Sequence, residues 1–298
     1  MAEQPGTNKP ASLIGGKEIL FAGFAFILFS VLFTFFPPQA VDYHSSFYHS
    51  AGQFLQPYEQ TGFISPPWLA LILYPLQLFP ENIGSAINCS LGLVTIMLLV
   101  ISRKGDHWAV LMVLTSFPFL SMLSNGNIEW VPAIGFLLQN EWGMPFLLTK
   151  PQTGFLVVLA WMTNKRKMIL FSLAGLLTIL ISIIVWGNWL SKLMANVLSV
   201  SLQEYSINDW NISLFPWTIP VGLVIVFVIL KFRPQKQEIL GCLATFCLSP
   251  YMAVYSLTIF YALLCSSYRK WGVILWVAFW LYPIVREWNT IMYMLGLT

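Results

Sequence analysis

The stretch VDYHSSFYHSAGQFLQPYEQTGFISPPWLALILYPLQLFP, residues 41–80, follows an apolar run at 19–36. It holds a lone Asp, two His, four Tyr and a Pro-Pro pair. Helices that face lipid exclude such residues, and a short connector has no use for them. How this stretch is read separates a plain bundle of membrane helices from one that builds a polar site.

The surrounding chain sets the solvent. Of 298 residues, 57% are hydrophobic and 9% charged, with mean hydropathy +0.73. A soluble domain carries about 25% charged residues. The expected fold class is therefore all-α, a polytopic transmembrane helical bundle. The formal net charge of +3 carries no argument for nucleic acid, because only its distribution over loops matters here. Cys89, Cys242, Cys247 and Cys265 all lie in apolar runs and read as small packing residues. Residues 1–18 are polar, with no apolar core or cleavage site, and read as a cytoplasmic tail. Residues 19–298 read as one transmembrane domain.

Apolar runs fall near 19–36, 63–80, 84–101, 108–123, 128–140, 143–163, 168–187, 214–231, 238–266 and 271–285. The run 143–163 is interrupted by TKPQT (149–153) and the run 238–266 by LSPYM (248–252). Breaks at membrane depth are tolerated where protein or a water-filled cavity surrounds them. Basic clusters at Arg103–Lys104, Lys165–Arg166–Lys167, Lys231/Arg233/Lys236 and Arg269–Lys270 belong in the cytoplasm. Strict alternation of the ten runs cannot place them all there. Folding 63–80, 143–163 and 238–266 each as a hairpin of two half-helices can, which gives about nine to eleven membrane segments. The exceptions among the fifteen Lys and Arg are then Lys150, Lys192 and Arg286, all near the outer face. An anionic ligand there would explain them; contact with lipid phosphates would also explain Lys192 and Arg286.

Two external segments, 37–62 and 188–213, are longer than connectors need. In the second, Trp189, Leu190, Leu193, Val197 and Leu198 recur at helical spacing, with Lys192 and Asn196 opposite. In the first, Phe47, Ala51, Phe54 and Leu55 do the same. Both predict interfacial amphipathic helices, a roof over a cavity. Glu204 and Asp209 read as solvated, and Asn211–Ile212–Ser213 is a glycosylation sequon.

Few residues could carry chemistry. Asp42, just past Pro37–Pro38, is either a helix N-cap or a partly desolvated base at the cavity mouth. His44 and His49 could join it around a divalent metal, the one candidate cofactor, although a five-residue spacing puts them on different helix faces. Glu129, after SNGN (124–127), is a helix-start carboxylate or an intramembrane functional group.

In their order these residues resemble the GT-C glycosyltransferases, glycosyltransferase family 87 in particular. The first external loop matches at Asp42, Tyr48, Ala51, Pro57–Tyr58, Phe63, Pro66–Pro67, Pro75 and Pro80. The family's Gly-Gln-x-Asn-like element is matched by Gly126–Asn127–Ile128–Glu129, with Asn127 where the family carries Gln. Its Lys-Pro break is matched by Lys150–Pro151, and its Ser-Pro…Tyr element by Ser249–Pro250 with Tyr251 or Tyr255. The resemblance implies a hexosyltransferase of the inner membrane, with mannosyl transfer among its cell-envelope reactions. Sugar would move with inversion from a polyprenyl-phosphate donor to a glycan, glycolipid or protein acceptor at the non-cytoplasmic face. Asp42 would be the base, Lys150, Lys192 and Arg286 would hold the donor phosphate, and His44, Tyr48, Tyr58, Asn127, Glu129, Tyr251 and Tyr255 would line the cavity. The competing classes are a transporter or flippase for lipid-linked solutes and a catalytically silent integral subunit.

Overall fold

The computed structural model describes residues 15–60, 62–162, 164–202, 211–234 and 236–287, and these form helices joined by turns. Among the described residues three helices are long and apolar enough to cross a membrane: α1 (Gly16–Phe35), α4 (Glu81–Ser102) and α10 (Lys165–Trp186). Between α1 and α4 come the short α2 (Tyr48–Gly52) and α3 (Trp68–Gln77). A bent pair, α5 (His107–Leu114) and α6 (Phe117–Asn125), makes a fourth span if taken together.

Their burial separates a pillar from a periphery. The most apolar window of α4 is 78% buried, those of α1 and α10 only 11%. The N-terminal half of α4 explains its place: Gly84, Ser85, Ala86, Ser90 and Gly92 are small and buried, so neighbours approach its backbone closely. The outward faces of α1 and α10 carry Leu20, Phe24, Ile27, Leu176 and Ile184, all exposed. In water such faces would be costly, but hydrocarbon is their natural solvent.

Two cores result. One is built around α4 from Ile96, Leu99, Phe119, Phe136, Val157 and Tyr261. The other gathers the loop after α1, with Ala40, Tyr43, Phe47 and Ala51 packed on Phe63, Leu69, Leu73, Ile128 and Trp130. The loop is thus a folded cap with its own apolar centre.

The breaks at 149–153 and 248–252 are present. The first separates α8 (Met144–Leu147) from α9 (Val157–Trp161), with a 3-10 turn at Pro151–Thr153 between them. The second separates α13 (Gln237–Leu248) from α14 (Leu257–Ser267), again through a 3-10 turn, Val254–Ser256. The remaining helices are α7 (Trp130–Leu138), α11 (Trp189–Leu202), α12 (Ile219–Phe232) and α15 (Arg269–Arg286).

Three expectations need correction. The 63–80 run is not a hairpin but the single ten-residue α3, with Pro75 inside its last turn. A break falls instead within 108–123, where α5 and α6 meet at 54°. Ser116 accepts from Phe119 N and Pro118 stands in the first turn, so a new helix starts there. In the first loop α2 ends at Gly52, so Phe54 and Leu55 lie beyond the expected amphipathic helix, and Tyr43 is buried. The stripe expected on α11 is not contradicted: Leu190 and Leu198 are exposed, while Asn196 donates to Gln60 O and Phe63 O, both at 3.2 Å. Two backbone carbonyls at the end of the first loop needed a donor, and Asn196 supplies it. Glu204, Asp209 and residues 1–14 of the tail lie outside the described residues.

Candidate functional site

A left-handed turn sets up the site. Gly126 closes α6 at φ +61°, a conformation that suits glycine. A Cβ there would lie 2.7 Å from Ala40 Cβ and 2.9 Å from Tyr43 Cβ, so the bare backbone lets the first loop dock on the turn. Asn88 of α4 donates to Gly126 O at 2.8 Å and accepts from Trp130 Nε1 at 2.8 Å, which pins the turn from below.

Asn127, the next residue, is the hub. Its amide donates to Asp42 Oδ2 at 2.6 Å, and its Oδ1 accepts from Lys150 Nζ at 2.5 Å and from Ile128 N at 2.8 Å. Lys150 also pairs with Glu129. Glu129 is fully buried, and Thr153 Oγ1 (3.1 Å) and Ser256 Oγ (3.3 Å) donate to its oxygens. Tyr255 closes the cluster, its ring centroid 4.6 Å from Lys150 Nζ. Tyr251 stands beside Tyr255, and both lie near Asp42. One buried ammonium thus pairs with Glu129 directly and reaches Asp42 through Asn127.

Asp42 does not act as a cap. Its backbone is helical, and its side chain makes no bond to the start of the following turn. Oδ2 is taken by Asn127, and Oδ1 accepts no hydrogen bond from a described residue. The residue lies in the loop outside the spans. Burial holds its carboxyl above the ordinary carboxylate range, opposed by the Asn127 hydrogen bond and the Lys150 charge. Asp42 therefore holds a proton more readily than an exposed Asp, and among the described residues only Asn127 donates to it.

The other named residues go elsewhere. His44 Nδ1 meets Glu81 Oε1 at 2.7 Å at the start of α4. Tyr48 donates to Phe79 O at 3.4 Å, and His49 is exposed. Tyr58 donates to Ser65 O at 2.9 Å and lines a pocket of about 130 Å³ with Lys192, apart from the Asp42 cluster. Arg286 engages Tyr282 and Glu287 at the end of α15. The three cations expected at one phosphate therefore stand in three places. Among the described residues no three His, Cys, Asp or Glu stand close enough to hold a metal, and His44 and His49 do not join Asp42. The donor set does not fit a divalent ion.

Thr153 and Ser256 were missed, although each neighbours a named residue. A second node was missed altogether. Arg103 donates to Glu238 through Nε (2.8 Å) and Nη2 (3.2 Å), and to Phe136 O (2.8 Å). Gln139 Nε2 (2.9 Å) and Trp161 Nε1 (2.8 Å) add donors to the same carboxylate. This node ties the ends of α4, α7 and α9 to the start of α13. The sequon asparagine is also occupied: its amide donates to Pro250 O at 3.0 Å, and Oδ1 accepts from Met252 N at 2.9 Å. It latches the 211–213 segment onto the break that carries Tyr251.

Comparison with known proteins returned no matching family model, no matching curated protein and no matching solved structure.

Proposed function

We propose that this chain is a polytopic membrane glycosyltransferase of the GT-C kind. It would move a sugar, with inversion, from a polyprenyl-phosphate donor to a hydroxyl acceptor at the non-cytoplasmic face of the inner membrane. One observation carries the reading. The four elements that bear the resemblance come from the first loop, the 126–129 turn and the breaks after α8 and α13. They meet in one cluster through Asp42, Asn127, Glu129, Lys150 and Tyr255.

The chemistry follows from the groups present. Asp42, its carboxyl raised by burial and its Oδ1 bonded to no described residue, takes the proton as the acceptor hydroxyl attacks the anomeric carbon. The bond from that carbon to the phosphate oxygen breaks on the opposite face, and the phosphate leaves with the electron pair. Lys150 is the cluster's cation and the group suited to stabilise that departing charge. Asn127 orients both.

A catalytically silent integral subunit is the second reading, favoured by the Lys150–Glu129 pair. The ammonium is already committed, as a structural pair would commit it. Transfer of labelled sugar by proteoliposomes holding the purified chain separates the two. Turnover with at least one polyprenyl-phosphate hexose supports the transferase. Its absence across gluco-, galacto- and manno-configured donors, with the protein folded, supports the silent subunit.

A further inference from the structure

The pocket at Lys192 is a separate place with its own chemistry. It lies where the 3-10 turn Pro57–Glu59, the end of α10 and the first turn of α11 meet, and it is lined by Tyr58, Glu59, Trp186 and Lys192 among others. Its volume of about 130 Å³ is roughly ten times what one water needs.

Depth follows from α10. Its 22 residues rise about 33 Å from the basic Lys165 end, enough to cross a hydrocarbon core of about 30 Å. Trp186 therefore stands at headgroup level, as interfacial Trp commonly does. Beside it Leu190, Met194 and Leu198 of α11 are exposed as an apolar strip suited to lying in the interface.

The walls are fixed in advance. Trp186 Nε1 donates to Phe54 O at 2.7 Å, Tyr58 OH to Ser65 O at 2.9 Å, and Asn196 ties α11 to the first loop. A ligand entering such a pocket orders little protein. Lys192 and Glu59 face this one space without forming an ion pair within 4 Å. A cation and an anion that line one pocket without pairing match a ligand that carries both a phosphate and an ammonium.

We propose that this pocket binds the headgroup of a phospholipid bearing a primary ammonium, with its phosphate on Lys192 and its ammonium on Glu59. The site rests on α10 spanning the membrane and is independent of sugar transfer. Lipid retention by the full-length protein, read by native mass spectrometry after release from vesicles, tests it. The vesicles contain equal parts phosphatidylethanolamine, phosphatidylcholine and phosphatidylglycerol. Phosphatidylethanolamine should be retained about tenfold over the other two, the worth of one charge-assisted bond. Phosphatidylcholine offers no N–H to Glu59, and phosphatidylglycerol offers no cation. Glu59→Gln should erase the preference, and Lys192→Met should weaken retention of all three lipids, since each carries the phosphate. Lys192→Arg should restore it, which separates charge loss from misfolding. Equal retention of the three lipids by the wild type, or a preference untouched by Glu59→Gln, overturns the proposal.

Discussion

Asp42 and Asn127 stand 85 residues apart in the chain and share a 2.6 Å hydrogen bond. The same amide turns its oxygen to Lys150, so one side chain couples the first loop to the break after α8. Asn127→Asp should repel Asp42 and open the first loop, while Asn127→Gln should keep the bond donor but shift it by a methylene. Amide exchange over residues 40–52 should rise strongly in the first variant and little in the second.

Gly126 makes that bond reachable. Gly126→Ala must hold a left-handed backbone and press on Ala40 and Tyr43, at a cost of about 2–4 kcal/mol. Gly23→Ala, in open space on α1, should leave the thermal midpoint in detergent nearly unchanged.

The Lys150–Glu129 pair is buried on both sides, with side-chain exposures of 8% and 0%. Lys150→Met leaves a lone carboxylate there and should cost about 3–5 kcal/mol. The double variant Lys150→Met/Glu129→Gln should recover most of that. Unfolding of the two singles and the double gives the coupling directly.

Asp42 also predicts a pH dependence. Its carboxyl titrates above the ordinary value of 3.8 in the folded protein, because burial disfavours its charge. Folded protein therefore holds this proton more tightly than unfolded chain does. Its contribution to stability is present at low pH and is lost as pH rises from about 3.8 through the folded value. Asp42→Asn should flatten that limb of the stability profile and be more stable than wild type above it. Thermal midpoints across pH 4–8 check the sign.

Much of this molecule was legible along the chain, and what was not has a common cause. The breaks at Lys150–Pro151 and Ser249–Pro250 announced themselves because proline and polar residues interrupt apolar runs. The bend at Ser116 did not, since a serine cap followed by Phe-Pro-Phe leaves the run apolar throughout. Positive-inside counting suggested a hairpin at 63–80, yet it is blind to how a short helix packs, and α3 seats Leu69, Ala70 and Leu73 on the loop core. Asp42, Asn127 and Lys150 could be picked out singly; that they meet could not be read from spacing. The Arg103–Glu238 clamp joins residues 135 apart, and Arg103 looked like a topological signal alone. Glu238→Ala should remove the acceptor for three side chains and cost about 2–4 kcal/mol, a loss seen in the thermal midpoint.

The most direct test of the central claim is single-turnover sugar transfer by wild type and Asp42→Asn at matched donor occupancy. Donor binding is measured separately with a non-transferable phosphonate analogue. With Asp42 as the base, donor binding should be retained and transfer reduced by at least about a hundredfold, the ordinary contribution of a general base. Transfer at the wild-type rate by Asp42→Asn would contradict it and leave the Asp42–Asn127 bond as a purely structural tie.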